Sequence, residues 1–174
     1  MTLAIVAFPR LDERDRQWIE SFRAMHEPQA SRIALHFTLV FPCDTDPDEI
    51  GGEVEAAARS TSPISFAIRR AVAIPDAFGA RSNVFLVPDE GGAEITTLHE
   101  RLYAGALGRH LRTDIPFVPH ITIGATGDAA AAEALAQDLD VASRAVTGTI
   151  TTLDVVDVGS HLVRSVTTYT LRKP

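Results

Sequence analysis

The sequence contains the pattern His-x-Thr-aliphatic twice, once in each half of the chain. The first copy is HFTL at 36–39 and the second is HITI at 120–123, 84 positions later (120 − 36 = 84). An imidazole can serve as general base or general acid near neutral pH, because its ordinary pKa is about 6.5. A neighbouring hydroxyl can donate to an oxygen that gains negative charge. Two such pairs in one site would suit transesterification or hydrolysis of a phosphodiester, and this chemistry requires no metal.

The first copy lies in a segment that predicts a strand ending at Pro42. Successive side chains on a strand point to opposite faces, so His36 and Thr38 share one face. Phe37 and Phe41 fall on the other face with Leu35 and Leu39, and we expect these apolar residues to lie in the core rather than in a binding site.

The second copy has the same alternation. His120 and Thr122 share one face with Gly124, whereas Phe117, Pro119, Ile121 and Ile123 alternate onto the other face. If the two halves of the chain are related by a pseudo-two-fold axis, the two His/Thr pairs converge across a central cleft and form a bipartite site.

The elements around the motifs also repeat in order. The hydrophobic pattern predicts a strand over 3–8, a helix over 11–27, the His36 strand, a helix over about 48–60 and a strand over 64–74. It then predicts a strand over 83–89, a helix over 90–111, the His120 strand, a helix over 127–139, and strands over 145–159 and 161–172. The expected fold is α+β, with residues 1–174 as one bilobal domain: two pseudo-two-fold-related lobes, each a mainly antiparallel sheet with helices packed outside.

The charge and composition exclude some function classes. The 174 residues carry 23 acidic and 16 basic side chains, a net charge of −7. No run of basic residues offers the face that long nucleic acid needs, so we expect the partner to be a small nucleotide or the end of an RNA.

The chain also lacks features of a membrane or secreted protein. No apolar run approaches the roughly 18 to 20 residues that cross a bilayer, and the first residues make a poor secretory signal. Cys43 is the single cysteine and permits no intrachain disulfide. We therefore expect a cytoplasmic protein, and a monomer.

In their order, spacing and strand setting, HFTL and HITI resemble the motifs of the two-histidine (2H) phosphoesterase superfamily. The likeness is greatest to the bacterial 2′-5′ RNA ligase / RNA 2′,3′-cyclic phosphodiesterase group. It extends over IVAFP near the start, HFTLVFP, VFLV, FVPHITI and the two closing strands.

The resemblance implies roles for four residues. His36 would be the proton donor and His120 the proton acceptor, while Thr38 and Thr122 would hold the phosphate. The implied substrates are 2′,3′-cyclic phosphate ends of RNA or nucleotides, opened to 2′-phosphates, or related 2′-5′ phosphodiesters. The group uses neither a metal nor another cofactor.

The sequence departs from that group at two positions. RNA-acting relatives often have Arg where this chain has Ala125, and Pro is common where it has Leu35. We therefore expect the contacts with the phosphate or the RNA to differ from those in such relatives.

Other residues and functions remain open at this stage. Arg81, in the loop before the 83–89 strand, could reach a substrate phosphate or simply be solvated, and His99 is expected to be a solvated helix residue. One alternative function is a metal-dependent hydrolase that uses His36 and His120 with a carboxylate such as Asp44. The other is a nucleotide- or RNA-end-binding module without turnover.

Overall fold

A computed structural model describes residues 1–76, 79–139 and 144–172 of the protein. The strands in these ranges are β1 (Thr2–Ala7), β2 (Arg10–Leu11), β3 (Phe37–Asp44), β4 (Ile64–Pro75), β5 (Ser82–Glu90), β6 (Ile121–Thr126), β7 (Val146–Ile150), β8 (Thr152–Asp157) and β9 (Arg164–Thr170). The α-helices are α1 (Glu13–His26), α2 (Pro47–Arg59), α3 (Gly92–Leu102) and α4 (Ala129–Asp138), and a 3₁₀ helix covers Ala106–His110.

All the described strands belong to one sheet, in which every pairing is antiparallel. The order is β2-β7-β4-β5-β6-β3-β1-β8-β9. It divides into two four-stranded groups, β3-β1-β8-β9 and β6-β5-β4-β7, with β2 beyond β7. The groups meet where β3 pairs with β6, through the single residue pair Phe37–Ile121. The predicted α+β fold with two related, mainly antiparallel lobes is confirmed, and the lobes share one sheet.

The chain crosses between the two groups twice. β4 comes from the first half of the sequence but pairs with β5 of the second half. The segment predicted as one strand over 145–159 is two strands, separated at Thr151. β7 pairs with β4, whereas β8 pairs with β1 in the other group. One straight strand could not pair with both groups, so the strand is interrupted at Thr151.

The main core lies between the helices and one face of the sheet. Alternation along β1 directs Leu3, Ile5 and Ala7 into this core. Ala4 and Val6 point to the opposite face, where they form a smaller apolar cluster with Val156, bordered by Phe8, Ile33, Val158 and Val163. The helices therefore cover one face, and the other face is left to line a cleft.

The helix starts follow the sequence signals closely. Asp12, Asp46 and Asp128 cap α1, α2 and α4, each carboxylate accepting from the backbone N–H two residues on. The predicted helix over 90–111 ends early, at Leu102, and resumes as the 3₁₀ helix. Glu53 of α2 accepts at 2.7 Å from the N–H of Ala106, the first residue of the 3₁₀ helix. None of the described helices has the length and apolar character to cross a bilayer.

Candidate active site

A cleft of about 650 Å³ lies where the two strand groups meet. All five residues singled out from the sequence line it: His36, Thr38, Arg81, His120 and Thr122. The four His and Thr side chains are half-buried, whereas Arg81 is exposed at the rim. The fold therefore brings together residues that are 84 positions apart in the sequence (120 − 36 = 84).

The two imidazoles are held in the same way. Each histidine immediately precedes its strand, and its Nδ1 lies against the carbonyl oxygen of the residue two positions earlier. The distance is 2.8 Å from His36 to Ala34 and 2.6 Å from His120 to Val118. A carbonyl only accepts, so Nδ1 carries the proton in both rings. Nε2 is then the basic nitrogen of the neutral ring, and the second N–H of the protonated one.

A β-bulge follows the threonine in the first motif. Thr38 pairs with Val6, but the next residue of β1, Ile5, pairs with Val40. Leu39 is therefore an extra residue on β3, and both Leu39 and Val40 are fully buried.

The second motif has a bulge at the same place. Thr122 pairs with Phe85, and Val84 pairs with Gly124, which leaves one extra residue on β6. Gly124 consequently faces the helices: a Cβ built on it would lie 3.2 Å from the Cβ of His26 on α1. The prediction that Gly124 shares the face of His120 and Thr122 is wrong, because the bulge interrupts the two-residue alternation.

The bulges also decide which side chains come next in the cleft. Phe41 and Ala125, each five positions after a motif histidine, both line it. Phe37 is fully buried as predicted, but the prediction that Phe41 lies in the core is wrong for the same reason as for Gly124. The cleft thus contains an aromatic ring in one lobe and a methyl group at the matching place in the other.

His99 is a buried structural residue, not the solvated one that the sequence suggested. It is 5% exposed and stacks on Phe117, with 3.7 Å between ring centroids. Its Nδ1 lies 2.7 Å from the Leu39 carbonyl oxygen, and the Tyr103 hydroxyl accepts from the Phe41 N–H at 3.2 Å. Side chains of α3 and of the residue that follows it therefore satisfy the backbone of β3 where that strand leaves β6. The pKa of His99 is lowered by burial.

The environment of the cleft disfavours charged imidazoles. Burial, and to a smaller extent the charge of Arg23, lower the pKa of His36 to about 4, against the opposing effect of the Ala34 carbonyl. Burial also lowers the pKa of His120, again opposed by the carbonyl of Val118. Both rings are therefore neutral in the free protein at neutral pH.

Aromatic packing differs between the two histidines. Phe85 of β5 stacks on His120, with ring centroids 3.7 Å apart and an angle of 17° between the planes. Phe8 meets His36 edge-on, at 6.1 Å and 62°. No sequence feature singled out either phenylalanine, since each pairing depends on strand register.

The carboxylate considered as a metal ligand is not part of this site. Asp44 lies at the far end of β3, where its Oδ1 accepts from the Thr2 hydroxyl at 2.6 Å. Within 1–76, 79–139 and 144–172, no three or more His, Cys, Asp or Glu side chains are grouped so that they could hold a metal ion.

Two solved structures match almost the whole chain. The crystal structures of TT0787 from Thermus thermophilus and of Escherichia coli LigT with 3′-AMP each align with a TM-score of 0.64, over 99% of this chain and 98% of theirs. Their sequence identities, 16% and 17%, are too low to show more than a shared fold.

Sequence comparison identifies the family. Proteins of Bacillus pumilus and Bacillus licheniformis that carry the name phosphoesterase are 30% and 29% identical over 126 residues, which is 71% of this chain and 69% and 70% of theirs. The model of the 2′-5′ RNA ligase superfamily matches residues 11–161. The chain therefore belongs to the 2′-5′ RNA ligase (2H phosphoesterase) superfamily, and it is a phosphoesterase.

Proposed function

We propose that the protein hydrolyses 2′,3′-cyclic phosphate ends of RNA or nucleotides, or related 2′-5′ phosphodiesters, by general acid and base catalysis without a metal. The observation that supports the proposal is that His36 and His120 are held in the same way and line the same cleft. Both rings line one cleft, and in both the Nδ1–H donates a hydrogen bond to a backbone carbonyl. Each ring therefore offers Nε2 for proton transfer.

The reaction divides into two proton transfers. Neutral His120 takes a proton from the attacking water at Nε2 as the new P–O bond forms. Protonated His36 gives its Nε2 proton to the 3′ oxygen as the P–O3′ bond breaks. The products are a 2′-phosphate and a free 3′-hydroxyl, and the two imidazoles exchange protonation states. Each transfer contributes roughly 10²- to 10⁴-fold to such reactions.

The hydroxyls and cations of the cleft match an anionic substrate. Thr38 and Thr122 each lie two residues after a histidine, where their hydroxyls can donate to the non-bridging phosphate oxygens. Arg81 stands at the rim and can reach a phosphate further along the substrate. Binding of an anion beside His36 would raise its pKa and so favour the protonated donor.

The size of the cleft agrees with a nucleotide as the bound unit. Its volume of about 650 Å³ is within the usual range of small-molecule sites. Structures of LigT have been obtained with 3′-AMP, ATP and NADP⁺. By analogy, we infer that this cleft accepts a nucleotide or the terminal nucleotide of an RNA.

The proposal is tested by product analysis on a panel of substrates: 2′,3′-cyclic nucleotides, an RNA with a 2′,3′-cyclic end and 2′-5′ dinucleotides, each with and without excess EDTA. We expect 2′-phosphate products that persist in EDTA and disappear in His36→Ala and His120→Ala. His161→Ala, which changes an exposed histidine, serves as the matched control. Activity that is lost in EDTA and restored by a divalent ion would favour a metal-dependent hydrolase. Binding without turnover would favour the non-catalytic module.

We also propose that residues 1–174 fold as one bilobal domain, since the single sheet spans both strand groups. Thermal unfolding should then show one cooperative transition. Two separate transitions would indicate lobes that fold independently.

A further inference from the structure

We propose that Arg23 and Glu20 of α1 are positioning residues, which hold the two His-x-Thr segments against each other and set the electrostatic environment of His36. This inference rests on the proposed two-histidine function. Neither residue belongs to a motif, and both lie on a helix rather than in the segments that carry the histidines.

Arg23 is the largest polar side chain in the interior. It is 1% exposed and occupies the helix position four residues after the buried Ile19, where an apolar residue would be expected. Its Nε donates to the Thr122 carbonyl at 3.1 Å and its Nη2 donates to the Ile33 carbonyl at 2.9 Å. One planar guanidinium therefore connects the second motif to the loop that leads into the first.

Glu20 completes the connection. One carboxylate oxygen accepts from Arg23 Nη1 at 2.8 Å, and the other accepts from the backbone N–H of Leu35 at 2.7 Å. Leu35 directly precedes His36. The pair thus joins the backbone beside the first histidine to the backbone of Thr122.

This link matters because the sheet itself joins the lobes weakly. β3 and β6 share only the residue pair Phe37–Ile121. A single pair leaves two strands free to twist or separate, and small displacements of catalytic groups are costly. The Arg23–Glu20 pair acts beside that junction, on β6 and on the segment that leads into β3.

The two charges also act on His36 in opposite directions. Arg23 lowers the pKa of His36, and Glu20 raises it. The other groups that act on the pKa of the ring are His120, across the cleft, which lowers it, and the Ala34 carbonyl, which raises it. Arg23 lines the cleft as well, so its fixed positive charge favours an anionic substrate while it disfavours a protonated His36.

The test uses Arg23→Gln, Glu20→Gln and Arg23→Lys. The controls are Arg16→Gln and Glu13→Gln, because Arg16 and Glu13 form an i, i+3 ion pair on the same helix, at 2.6 Å, with both side chains exposed. Two quantities are measured for every variant: the pH profile of kcat/KM, and the protonated fraction of the His36 ring in the free protein, from NMR shifts between about pH 3 and 8.

We expect Arg23→Gln to increase the protonated fraction of His36 and to move the limb of kcat/KM that reports His36 to higher pH. Glu20→Gln should do the reverse, each by roughly 0.5 to 1 pH unit. Arg23→Lys keeps the charge but cannot span the same three acceptors. It should leave the protonated fraction nearer that of the wild type, while kcat/KM falls on the order of 10- to 100-fold. The control variants should change neither quantity.

Shifts of the same sign in Arg23→Gln and Glu20→Gln, or no shift in either, would overturn the inference. So would full kcat/KM in Arg23→Lys. If Arg23→Gln does not fold, Glu20→Gln and Arg23→Lys decide, since Gln at position 20 can still accept from the Leu35 N–H. A wild-type protein without phosphodiesterase activity would instead refute the proposed function, and the imidazole measurements would still show whether the pair acts on His36.

Discussion

The two His-x-Thr segments are alike in backbone and different in surroundings. In each, the histidine bonds through Nδ1 to the carbonyl two residues earlier, the threonine follows, and a β-bulge comes next. The bulge brings Phe41 into the cleft on one side and Ala125 on the other. The shared backbone therefore creates two equivalent places for an imidazole, and the neighbours make them unequal.

The neighbours distinguish the two rings. His120 lies flat against Phe85, whereas the residue that takes the place of Phe85 in the other lobe, opposite Thr38, is Val6. His36 has instead the edge of Phe8 and the charges of Arg23 and Glu20. The stacking on Phe85 restricts the orientation of the His120 ring, whereas the charges of Arg23 and Glu20 act on the pKa of His36. The duplicated backbone thus allows a division of labour.

The largest effect should come from removing either imidazole. His36→Ala and His120→Ala should each lower kcat/KM on a natural ester by roughly 10²- to 10⁴-fold. A nucleoside phosphate ester with a good leaving group, such as p-nitrophenolate, should partly rescue His36→Ala, because that leaving group needs little protonation. It should not rescue His120→Ala, because the water still needs a base. Equal rescue of both variants would contradict the assigned roles, and near-full activity in either would remove the two-histidine mechanism.

Removing a threonine hydroxyl should have the next largest effect. Thr38→Val and Thr122→Val keep the side-chain shape and delete one donor each, so each should cost up to about 10²- to 10³-fold in kcat. Thr147→Val on β7, at an exposed position, should leave kcat unchanged. If only one of the two cleft variants is impaired, the phosphate is held from one lobe only.

The pH profile should reflect the low pKa values of both imidazoles. The donor must be protonated, and His36 has its pKa lowered to about 4 in the free protein. The acceptor must be neutral, and His120, whose pKa is also lowered, stays neutral to a lower pH than an ordinary histidine.

Both limbs of kcat/KM should therefore lie below pH 6.5, with about a tenfold fall per pH unit above the upper limb. The upper limb of kcat should lie at higher pH, because a bound phosphate favours the imidazolium. The measurement is steady-state kinetics from about pH 3 to 9 at constant ionic strength. An upper limb of kcat/KM above 6.5 would contradict the effect of burial on His36.

The smallest effect should come from the aromatic neighbours. Phe85→Leu removes the ring stacked on His120 and should lower kcat about tenfold, since the imidazole can then rotate. Phe8→Leu removes only an edge contact with His36 and should change kcat less than about threefold. Similar losses in both variants would show that stacking does not distinguish the two histidines.

Much of the fold was predictable from local patterns. The paired motifs, the capping aspartates and the strand and helix alternation mark most elements to within a few residues. The α+β class follows from their order. The placement of each threonine beside its histidine was also predictable, because the two are two residues apart on an extended segment. The convergence of the two pairs was predictable from the repeated order of elements in the two halves.

The predictions that extended the two-residue alternation past a bulge were wrong. Gly124 and Phe41 were assigned to the wrong faces because a bulge depends on how a strand pairs with its neighbour, here β6 with β5 and β3 with β1. His99 looked like an ordinary surface helix residue, and its burial and its contact with the Leu39 carbonyl come from the packing of α3 on β3.

The sequence by itself determined which imidazoles and hydroxyls the cleft contains, since a motif of three residues specifies an imidazole and a hydroxyl on one side of a strand. Only the tertiary structure decided what surrounds them. The stacking of Phe85, the burial of Arg23 and the bond from Glu20 to Leu35 join segments far apart along the chain. Contacts of this kind depend on strand register and helix packing, which local alternation does not encode.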